Sequence, residues 1–363
     1  MRAYLRKGLS GPGTGSRAIT VTAAAVVAAM MTLTPRMPAW ATTTATIVDL
    51  GTLPGDTSSV AAAINDDGTV IGVSRADSGA VRAVRWNSRG AIQELPVMAG
   101  DTFSVAGGIN AGGVIVGESG AVNGFGTAVR WDRDATVARL AAVPGFPNSA
   151  ATAINNHGAI VGYGFTSTVA HAVRWNPDGT PTLLQNLPGG SISLAADVND
   201  DGTVVGYSYT SGGVPHAVRW NRDGSPVDLG TLPGYSLSDA LRINDRGTMV
   251  GIDETTAGQF IAVRWSRDGS VTPLETLPGY PNSEPGGISN KGTAVGLAIS
   301  GDTQQATAVS WNPVGSVTAL GGLAGDSFSG AEAINDHGTV VGFSGQSADQ
   351  IHAVEWCLPG SDT

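Results

Sequence analysis

Apolar and polar residues alternate with a period of two over short segments of the chain, and turn-forming residues separate these segments. Residues 149–155, "SAATAIN", and 158–164, "GAIVGYG", are separated by Asn156 and His157 and form one such pair. Residues 170–176, "AHAVRWN", and 180–187, "TPTLLQNL", form a second pair around the turn "NPDG". Alternation of this kind is typical of antiparallel strands joined by hairpins. The pattern predicts four short strands per unit and no long helix after residue 41.

The four-strand unit occurs seven times. A turn motif related to "INDxG" lies between the first two strands of each unit, and an "LPG"-like motif follows the fourth strand. Four strands at this period are typical of propeller blades. We therefore predict an all-β fold, a seven-bladed β-propeller of four-stranded antiparallel blades. The repeats are centred on tryptophans spaced 44 to 46 residues apart: Trp86, Trp131, Trp175, Trp220, Trp265, Trp311 and Trp356.

The two ends of the repeat region complement each other. The seventh unit stops soon after Trp356 and lacks a fourth strand, whereas "VDLGTLPG" occurs at 48–55, ahead of the first unit, and again at 227–234. The identical segments indicate that residues 44–51 form the missing fourth strand of the last blade. Such a closure removes the free sheet edges at the ends of the repeat array. The predicted propeller domain covers residues 42–363.

The first 41 residues differ from the repeats. Basic residues lead into a mostly apolar stretch, residues 18–33, and two prolines and the small-x-small tripeptide "AWA" at 39–41 follow it. This order is typical of a secretory signal peptide, and the apolar stretch is short for a membrane span. We predict that residues 1–41 are a signal peptide and that the mature chain is extracellular, without membrane contact after cleavage. An uncleaved anchor is the alternative.

The charge of the mature chain limits its partners. The full chain has a formal net charge of −10, and without residues 1–41 it has 15 Lys and Arg against 30 Asp and Glu, a net charge of −15. An acidic surface repels phosphate polymers, so we expect no nucleic-acid partner. Neutral glycans and proteins remain as partners, and we expect a monomer that needs no cofactor. Cys357 is the only cysteine, which excludes an intrachain disulfide.

A cluster of oxygen-bearing side chains, "NDDG" at 65–68, raises the question of a calcium site. The cluster lies in the first turn of a unit used seven times, but the second unit has "NAGG" and the sixth has "SNKG". Its spacing also lacks the alternating ligands and the later glutamate of a calcium loop. Asn, Asp and Gly favour tight turns between strands. We interpret "NDDG" as a hairpin and expect no metal site.

The residue after each "LPG"-like motif varies between units and defines the candidate binding surface. The longer connections lie on this side of the predicted ring, and function in scaffolded folds concentrates on such loops. The alternative is that polar residues at this position cap their loops and aromatic ones cover core edges. Three neighbouring units carry an aspartate and three others an aromatic residue, which gives the predicted binding residues Asp56, Asp101, Asp326, Phe146, Tyr235 and Tyr280.

The "INDxGTVVG" and "HAVRW" elements together resemble the HAF-repeat family of probable extracellular repeat proteins. The His-Ala-Phe step of that family corresponds here to residues 171–173, 216–218 and 352–354, where valine replaces phenylalanine. The resemblance covers residues 44–356. It implies secretion and a propeller-forming repeat architecture, but no activity.

Three functions remain open. We favour a secreted binding module that recognises a neutral glycan or a protein on the variable-loop face, because the sequence contains no nucleophile–base motif. A carbohydrate-active hydrolase or lyase is the alternative, and hydrolysis would need two convergent carboxylates. A passive extracellular structural protein is the third function. The axial carboxylates available to an enzyme are Asp197, which we expect to neutralise Arg242, and Asp239, Glu284 and Glu332.

Overall fold

The structure is a computed structural model that describes residues 46–121, 125–301, 305–347 and 350–358. The predicted signal peptide, residues 1–41, lies outside the described residues. The regular elements of the described ranges are all β-strands, and none of these residues belongs to a helix long and apolar enough to cross a bilayer. The strands form seven separate four-stranded antiparallel sheets, so the predicted seven-bladed architecture is confirmed.

Each of the first six blades consists of four consecutive strands, and the fourth strand is only three residues long. Blades 1 to 3 contain β2 (Ser58–Ile64), β3 (Val70–Arg75), β4 (Val81–Trp86), β5 (Ile92–Glu94), β6 (Phe103–Ile109), β7 (Ile115–Gly120), β8 (Thr127–Trp131), β9 (Val137–Arg139), β10 (Asn148–Ile154), β11 (Ile160–Phe165), β12 (Ala170–Trp175) and β13 (Pro181–Leu183). Blades 4 to 6 contain β14 (Ser193–Val198), β15 (Val204–Tyr209), β16 (Pro215–Trp220), β17 (Pro226–Asp228), β18 (Leu237–Ile243), β19 (Met249–Glu254), β20 (Phe260–Trp265), β21 (Val271–Pro273), β22 (Asn282–Ile288), β23 (Ala294–Ile299), β24 (Ala306–Trp311) and β25 (Val317–Ala319).

The seventh blade is built from both ends of the repeat region. It contains β26 (Phe328–Ile334), β27 (Thr339–Ser347) and β28 (Gln350–Cys357), and its fourth strand is β1 (Thr46–Asp49). β1 pairs antiparallel with β28 and places Ile47 opposite Trp356. The first strands of all neighbouring blades contact one another around the axis, including those of blades 7 and 1. The prediction that the amino-terminal strand closes the ring is therefore confirmed.

The turn between the first two strands of blade 1 is a tight hairpin. The Asn65 N–H donates to the Thr69 carbonyl oxygen at 3.1 Å, and the Thr69 N–H donates to Asn65 Oδ1 at 2.9 Å. Gly68 has a φ of 75°, which glycine adopts without the steric cost of a Cβ. "NDDG" is thus a hairpin in the structure. No group of three or more His, Cys, Asp or Glu within the described ranges is arranged to hold a metal ion.

The seven tryptophans of the repeats pack between blades and are at most 1% exposed. Trp131 packs against Ile71 and Ala83 of the preceding blade, and its Nε1 donates to the Pro96 carbonyl oxygen at 2.7 Å. Burial of one indole removes on the order of 200 Å² from water, an upper estimate of about 5 kcal/mol. The tryptophans therefore stabilise the joints between blades.

Asparagine side chains link neighbouring blades in a ring around the axis. In each link the Asn Nδ2 donates to the backbone carbonyl oxygen at the same repeat position of the next blade, at 2.9–3.3 Å. The link from Asn335 to Asn65 joins blade 7 to blade 1. Ser289 has no amide group, so blade 6 donates no bond of this kind. The members of this inner amide ring are Asn65, Asn110, Asn155, Asn199, Asn244, Ser289 and Asn335.

The next residue of each turn forms a second ring, the outer turn ring. Here the backbone N–H of one blade donates to the side-chain Oδ1 of the following blade, at 2.6–2.9 Å. Ala111 has no side-chain acceptor to offer the N–H of Asp66, so the ring is open between blades 1 and 2. Its members are Asp66, Ala111, Asn156, Asp200, Asp245, Asn290 and Asp336. Both rings lie on the side of the propeller that carries the tight turns, which we name the turn face.

The open position predicts a stabilising substitution. Ala111→Asn supplies the missing acceptor for the Asp66 N–H, and we expect the free energy of unfolding to rise by about 0.5–1.5 kcal/mol, the usual net value of one hydrogen bond. Urea unfolding of residues 42–363 measures the change. Ala111→Leu, which adds volume without an acceptor, is the control. Equal stability of the two variants would show that the outer turn ring adds nothing at this joint.

Candidate functional site

The loops that carry the "LPG"-like motifs lie on the face opposite the turn face, which we name the LPG face. Each loop leads from the fourth strand of one blade to the first strand of the next. In the loop before blade 1, the Asp56 N–H donates to the Leu53 carbonyl oxygen at 3.0 Å, and the Leu53 N–H donates to Ser74 Oγ of β3 at 3.1 Å. Serines at the same place in β7, β15 and β27 accept the equivalent N–H groups. The second strand thus fixes the loop.

The three predicted aspartates bind these same serines. The serine Oγ–H donates to the carboxylate at 2.6–2.7 Å in the pairs Ser74–Asp56, Ser119–Asp101 and Ser344–Asp326. Two cations add to these contacts, because Arg82 bonds Asp56 and Arg139 lies 3.3 Å from Asp101. The Asp56 side chain is fully buried. These are the contacts expected of aspartates that cap their loops, and a ligand-binding role for the three stays a prediction.

Two of the predicted aromatic residues, Phe146 and Tyr280, lie opposite small residues of the second strand. A Cβ on Gly164 would lie 2.9 Å from Phe146, so the ring occupies the space that a larger residue would fill. Tyr280 is 6% exposed and packs in the same core cluster as Ala298, and burial raises the pKa of its hydroxyl. Tyr235 is half-buried. Phe146 lies in the loop before blade 3, whereas Tyr235 and Tyr280 lie in the loops before the adjacent blades 5 and 6.

A shallow, open cavity of about 480 Å³ lies at the loop before blade 6. Its wall includes the buried Tyr280 and two exposed prolines, Pro278 and Pro281. The loop is held in a turn by the Tyr280 N–H, which donates to the Leu277 carbonyl oxygen at 2.9 Å. Among the described residues, no lining residue is charged, and the described wall consists of Thr276, Leu277, Pro278, Gly279, Tyr280, Pro281 and Gly301. Of the six predicted binding residues, Tyr280 is the one that lines this cavity.

Two buried carboxylates on second strands were not predicted from the sequence. Glu118 is 8% exposed and accepts the Gly126 N–H at 3.0 Å, and burial raises its pKa to about 7. Asp253 replaces the loop-fixing serine in blade 5 and accepts the Leu232 N–H through Oδ2. Its Oδ1 has no hydrogen-bond partner in the described part of the chain, and burial raises its pKa to about 6. Both residues differ from the other residues at their repeat positions, a signal that the sequence does contain.

Two of the predicted axial carboxylates are either bonded to the backbone or buried. Asp197 accepts the Val198 N–H at 2.9 Å and the Ile243 N–H of the next blade at 3.0 Å, so each of its oxygens takes part in a backbone contact. Asp239 is 1% exposed. Arg242, the expected partner of Asp197, donates to the Leu241 carbonyl oxygen at 2.9 Å. Backbone N–H groups thus engage Asp197, and Asp239 is buried.

Comparison with protein-family models gave no match, and comparison with curated proteins gave none. The HAF-repeat assignment therefore stays a prediction. Comparison with solved structures gave many matches. Virginiamycin B lyase from Staphylococcus aureus is 13% identical, with a TM-score of 0.52 over 86% of this chain and 99% of that one. The chain is a seven-bladed β-propeller.

Two further solved structures show the same fold. Oligogalacturonate lyase in complex with manganese is 13% identical, with a TM-score of 0.57 over 88% of this chain and 95% of that one. A puromycin-hydrolyzing peptidase from Mycobacterium tuberculosis is 14% identical, with a TM-score of 0.58 over 80% of this chain and 49% of that one. At such identities the likeness extends to the fold and not to the site.

The raised pKa of Glu118 predicts a pH dependence of stability. The pKa of Glu118 is about 7 in the folded chain against 4.5 for an ordinary glutamate. Below pH 4.5 the carboxyl group is protonated in the folded and the unfolded chain, so it does not lower the free energy of unfolding. Its cost to the folded state grows as the pH rises to about 7, where it reaches roughly 3 kcal/mol. We expect Glu118→Gln to stabilise the chain at pH 8 and to have little effect at pH 4.5.

Urea unfolding at both pH values measures this difference. Glu94→Gln, at an exposed glutamate, is the control and should give a much smaller difference between the two pH values, because solvent screens its 3.4 Å contact with Arg82. A Glu118→Gln effect that is equal at pH 4.5 and pH 8 would show that the carboxyl group titrates normally.

Proposed function

We propose that this chain is a secreted β-propeller binding module that recognises a neutral glycan on its LPG face. The observation that supports this proposal is the cavity of about 480 Å³ beside Tyr280, whose described lining residues are uncharged. Its volume lies in the range of small-ligand sites, roughly 300–1,000 Å³. The proposed ligand is therefore one or a few sugar units of a larger glycan rather than an extended polymer face.

The chemistry of the cavity wall favours a neutral ligand. A charged sugar would need an ionic partner wherever the wall excludes water from it, and none of the described lining residues is charged. The rings of Pro278 and Pro281 present rigid apolar surface, and backbone groups of the loop offer donors and acceptors for hydroxyl groups. Because the loop is fixed by its internal hydrogen bond, little conformational entropy is lost on binding.

Secretion and membership in the HAF-repeat family are parts of the same proposal. They are supported by the signal-like composition of residues 1–41 and by the recurring sequence motifs. A protein partner on the same face is the other binding function, and it would be indicated if all glycans fail to bind.

An enzymatic function on this fold has weaker support. The solved neighbours include lyases and a hydrolase, but their low identity makes this an analogy of fold. Acid–base chemistry also needs carboxylates that reach a substrate, whereas Asp239 is buried and Asp197 is engaged by backbone N–H groups, which leaves the half-buried Glu284 and Glu332 as candidates. We therefore place binding ahead of catalysis.

A pair of matched substitutions tests the glycan site. The chain offers "LPGYPN" at 277–282 and "VPGFPN" at 143–148, so Pro281→Asp adds a charge beside the cavity and Pro147→Asp adds the same charge to the equivalent loop of blade 3. With a panel of neutral hexasaccharides, we expect a thermal shift for the wild type and for Pro147→Asp. Pro281→Asp should weaken binding about tenfold or more, since desolvating an unpaired charge is costly.

Calorimetric titration with the hexasaccharide that gives the largest shift then measures the dissociation constants. Equal affinity of the two variants would place the site elsewhere on the LPG face. Release of shorter sugars from the hexasaccharide during the titration would favour the enzymatic alternative. No shift with any glycan would contradict the proposed ligand class.

The proposed secretion predicts a defined mature terminus. When the full chain is expressed in a host that processes secretory signals, the extracellular protein should begin at Thr42, because "AWA" ends at Ala41. Mass spectrometry of the intact extracellular protein checks this. Retention of residues 1–41 in the isolated protein would favour the uncleaved anchor instead.

A further inference from the structure

A second cavity, of about 360 Å³, lies on the turn face between blades 1 and 2. It is separate from the proposed glycan site, which lies on the opposite face of the ring. Its wall combines the turns of blade 1 with both tight turns of blade 2, and it includes Asp67, Arg85, Asn87, Gln93, Gly112 and Arg133. Two of these side chains are cationic and one is anionic, so the wall carries a net positive charge in a chain whose formal charge is −10.

The space exists because the first turn of blade 2 has almost no side chains. This turn reads Asn110-Ala111-Gly112-Gly113, whereas the position of Gly112 holds a charged or imidazole side chain in every other blade: Asp67, His157, Asp201, Arg246, Lys291 and His337. The same joint is the one at which Ala111 leaves the outer turn ring open. The local sequence thus leaves both an unoccupied volume and an unused backbone donor at this joint.

Arg85 is held in place at this cavity by the protein. Its Nε and Nη2 donate to Gln93 Oε1 at 3.0 and 2.8 Å, and its Nη1 donates to the Arg133 carbonyl oxygen at 2.8 Å. A guanidinium has five N–H groups, so two of them make no hydrogen bond to the described residues, and the nearby Asp134 carboxylate interacts with the guanidinium through its charge. Because the side chain is already ordered, binding to it costs little rotamer entropy.

Arg133 supplies a second guanidinium group. At the joint between blades 4 and 5, the equivalent arginine, Arg267, lies 3.9 Å from Asp201. At the joint between blades 1 and 2, the matching residues are Arg133 and Asp67, and within the described ranges they form no ion pair. The cavity lies where this contact would otherwise be made. The exposed guanidinium of Arg133 is therefore available to a ligand.

We propose that this cavity binds a small carboxylate of the size of a sugar acid. Guanidinium groups match the geometry of a carboxylate and form charge-assisted hydrogen bonds with it, and Arg85 and Arg133 line the same cavity. The Asn87 amide and the Asp67 carboxylate offer partners for hydroxyl groups on the same ligand. The volume suits one or two sugar-sized rings, and the acidic surface of the chain disfavours longer polyanions.

Calorimetric titration of residues 42–363 with D-glucuronate at low ionic strength tests this site, with D-glucose as the neutral probe. We expect saturable binding of glucuronate and none of glucose. Arg133→Gln should weaken binding about tenfold or more, as for loss of a hydrogen bond to a charged group. Arg267→Gln, at the equivalent place in blade 5, is the matched control and should bind as the wild type does.

A second variant tests glucuronate binding without removing an arginine. Gly112→Asp adds to the cavity wall the residue type that blades 1 and 4 carry at this position, and its charge repels a carboxylate. We expect it to fold, with the unfolding temperature of the wild type, and to lose glucuronate binding. Equal binding of glucose and glucuronate, no saturable binding by the wild type, or full binding by Gly112→Asp would each overturn the proposal. None of these results bears on the glycan site beside Tyr280, which is tested separately by Pro281→Asp.

Discussion

The structure depends on the contact between neighbouring blades, repeated around a closed ring. A four-stranded blade buries apolar residues on both of its faces, so each blade is complete only when a neighbour packs on each side. Trp131 packs against blade 1, and the inner amide ring and the outer turn ring join the turns of adjacent blades. The pairing of β1 with β28 and the bonds from Asn335 and Asp336 to blade 1 supply the last joint. Without this joint, blades 1 and 7 would each expose an apolar face.

The same repetition explains how the loop residues of the LPG face can differ from blade to blade. In three blades the loop carries an aspartate and the second strand a serine, and the two bind each other, as in Asp56 and Ser74. In two blades an aromatic residue takes the loop position, and the strand residue shrinks to Gly164 or Ala298. Each pair fills one space in a different way. The variable loop residues are therefore supported by changes in the strand beneath them, and the cavity beside Tyr280 lies in one of the aromatic pairs.

The sequence was sufficient for the architecture because the information is repeated and local. The period of two, the tryptophan spacing and the duplicated "VDLGTLPG" predict blades and their closure, since each reflects a hydrogen-bonded register that recurs. The site was less accessible. The constant separation of 18 residues between Asp56 and Ser74, and between Asp101 and Ser119, is visible in the sequence, but its meaning depends on which strand lies beneath the loop. The cavity between blades 1 and 2 depends on missing side chains in a turn, so only the packing of two blades reveals it.

The assembly of the seventh blade from both ends of the chain also affects the order in which the domain folds. β1 is the first described strand of the chain and β28 the last, so this pair closes a loop that contains nearly the whole domain. Contacts of such long sequence separation form slowly, because chain entropy must be lost before they add stability. The other six blades can form from consecutive strands as they emerge, whereas β1 has no sheet to join until the carboxyl-terminal strand is present. Assembly of the domain therefore ends with a single late step, and until that step the incomplete domain keeps open strand edges that other chains could pair with.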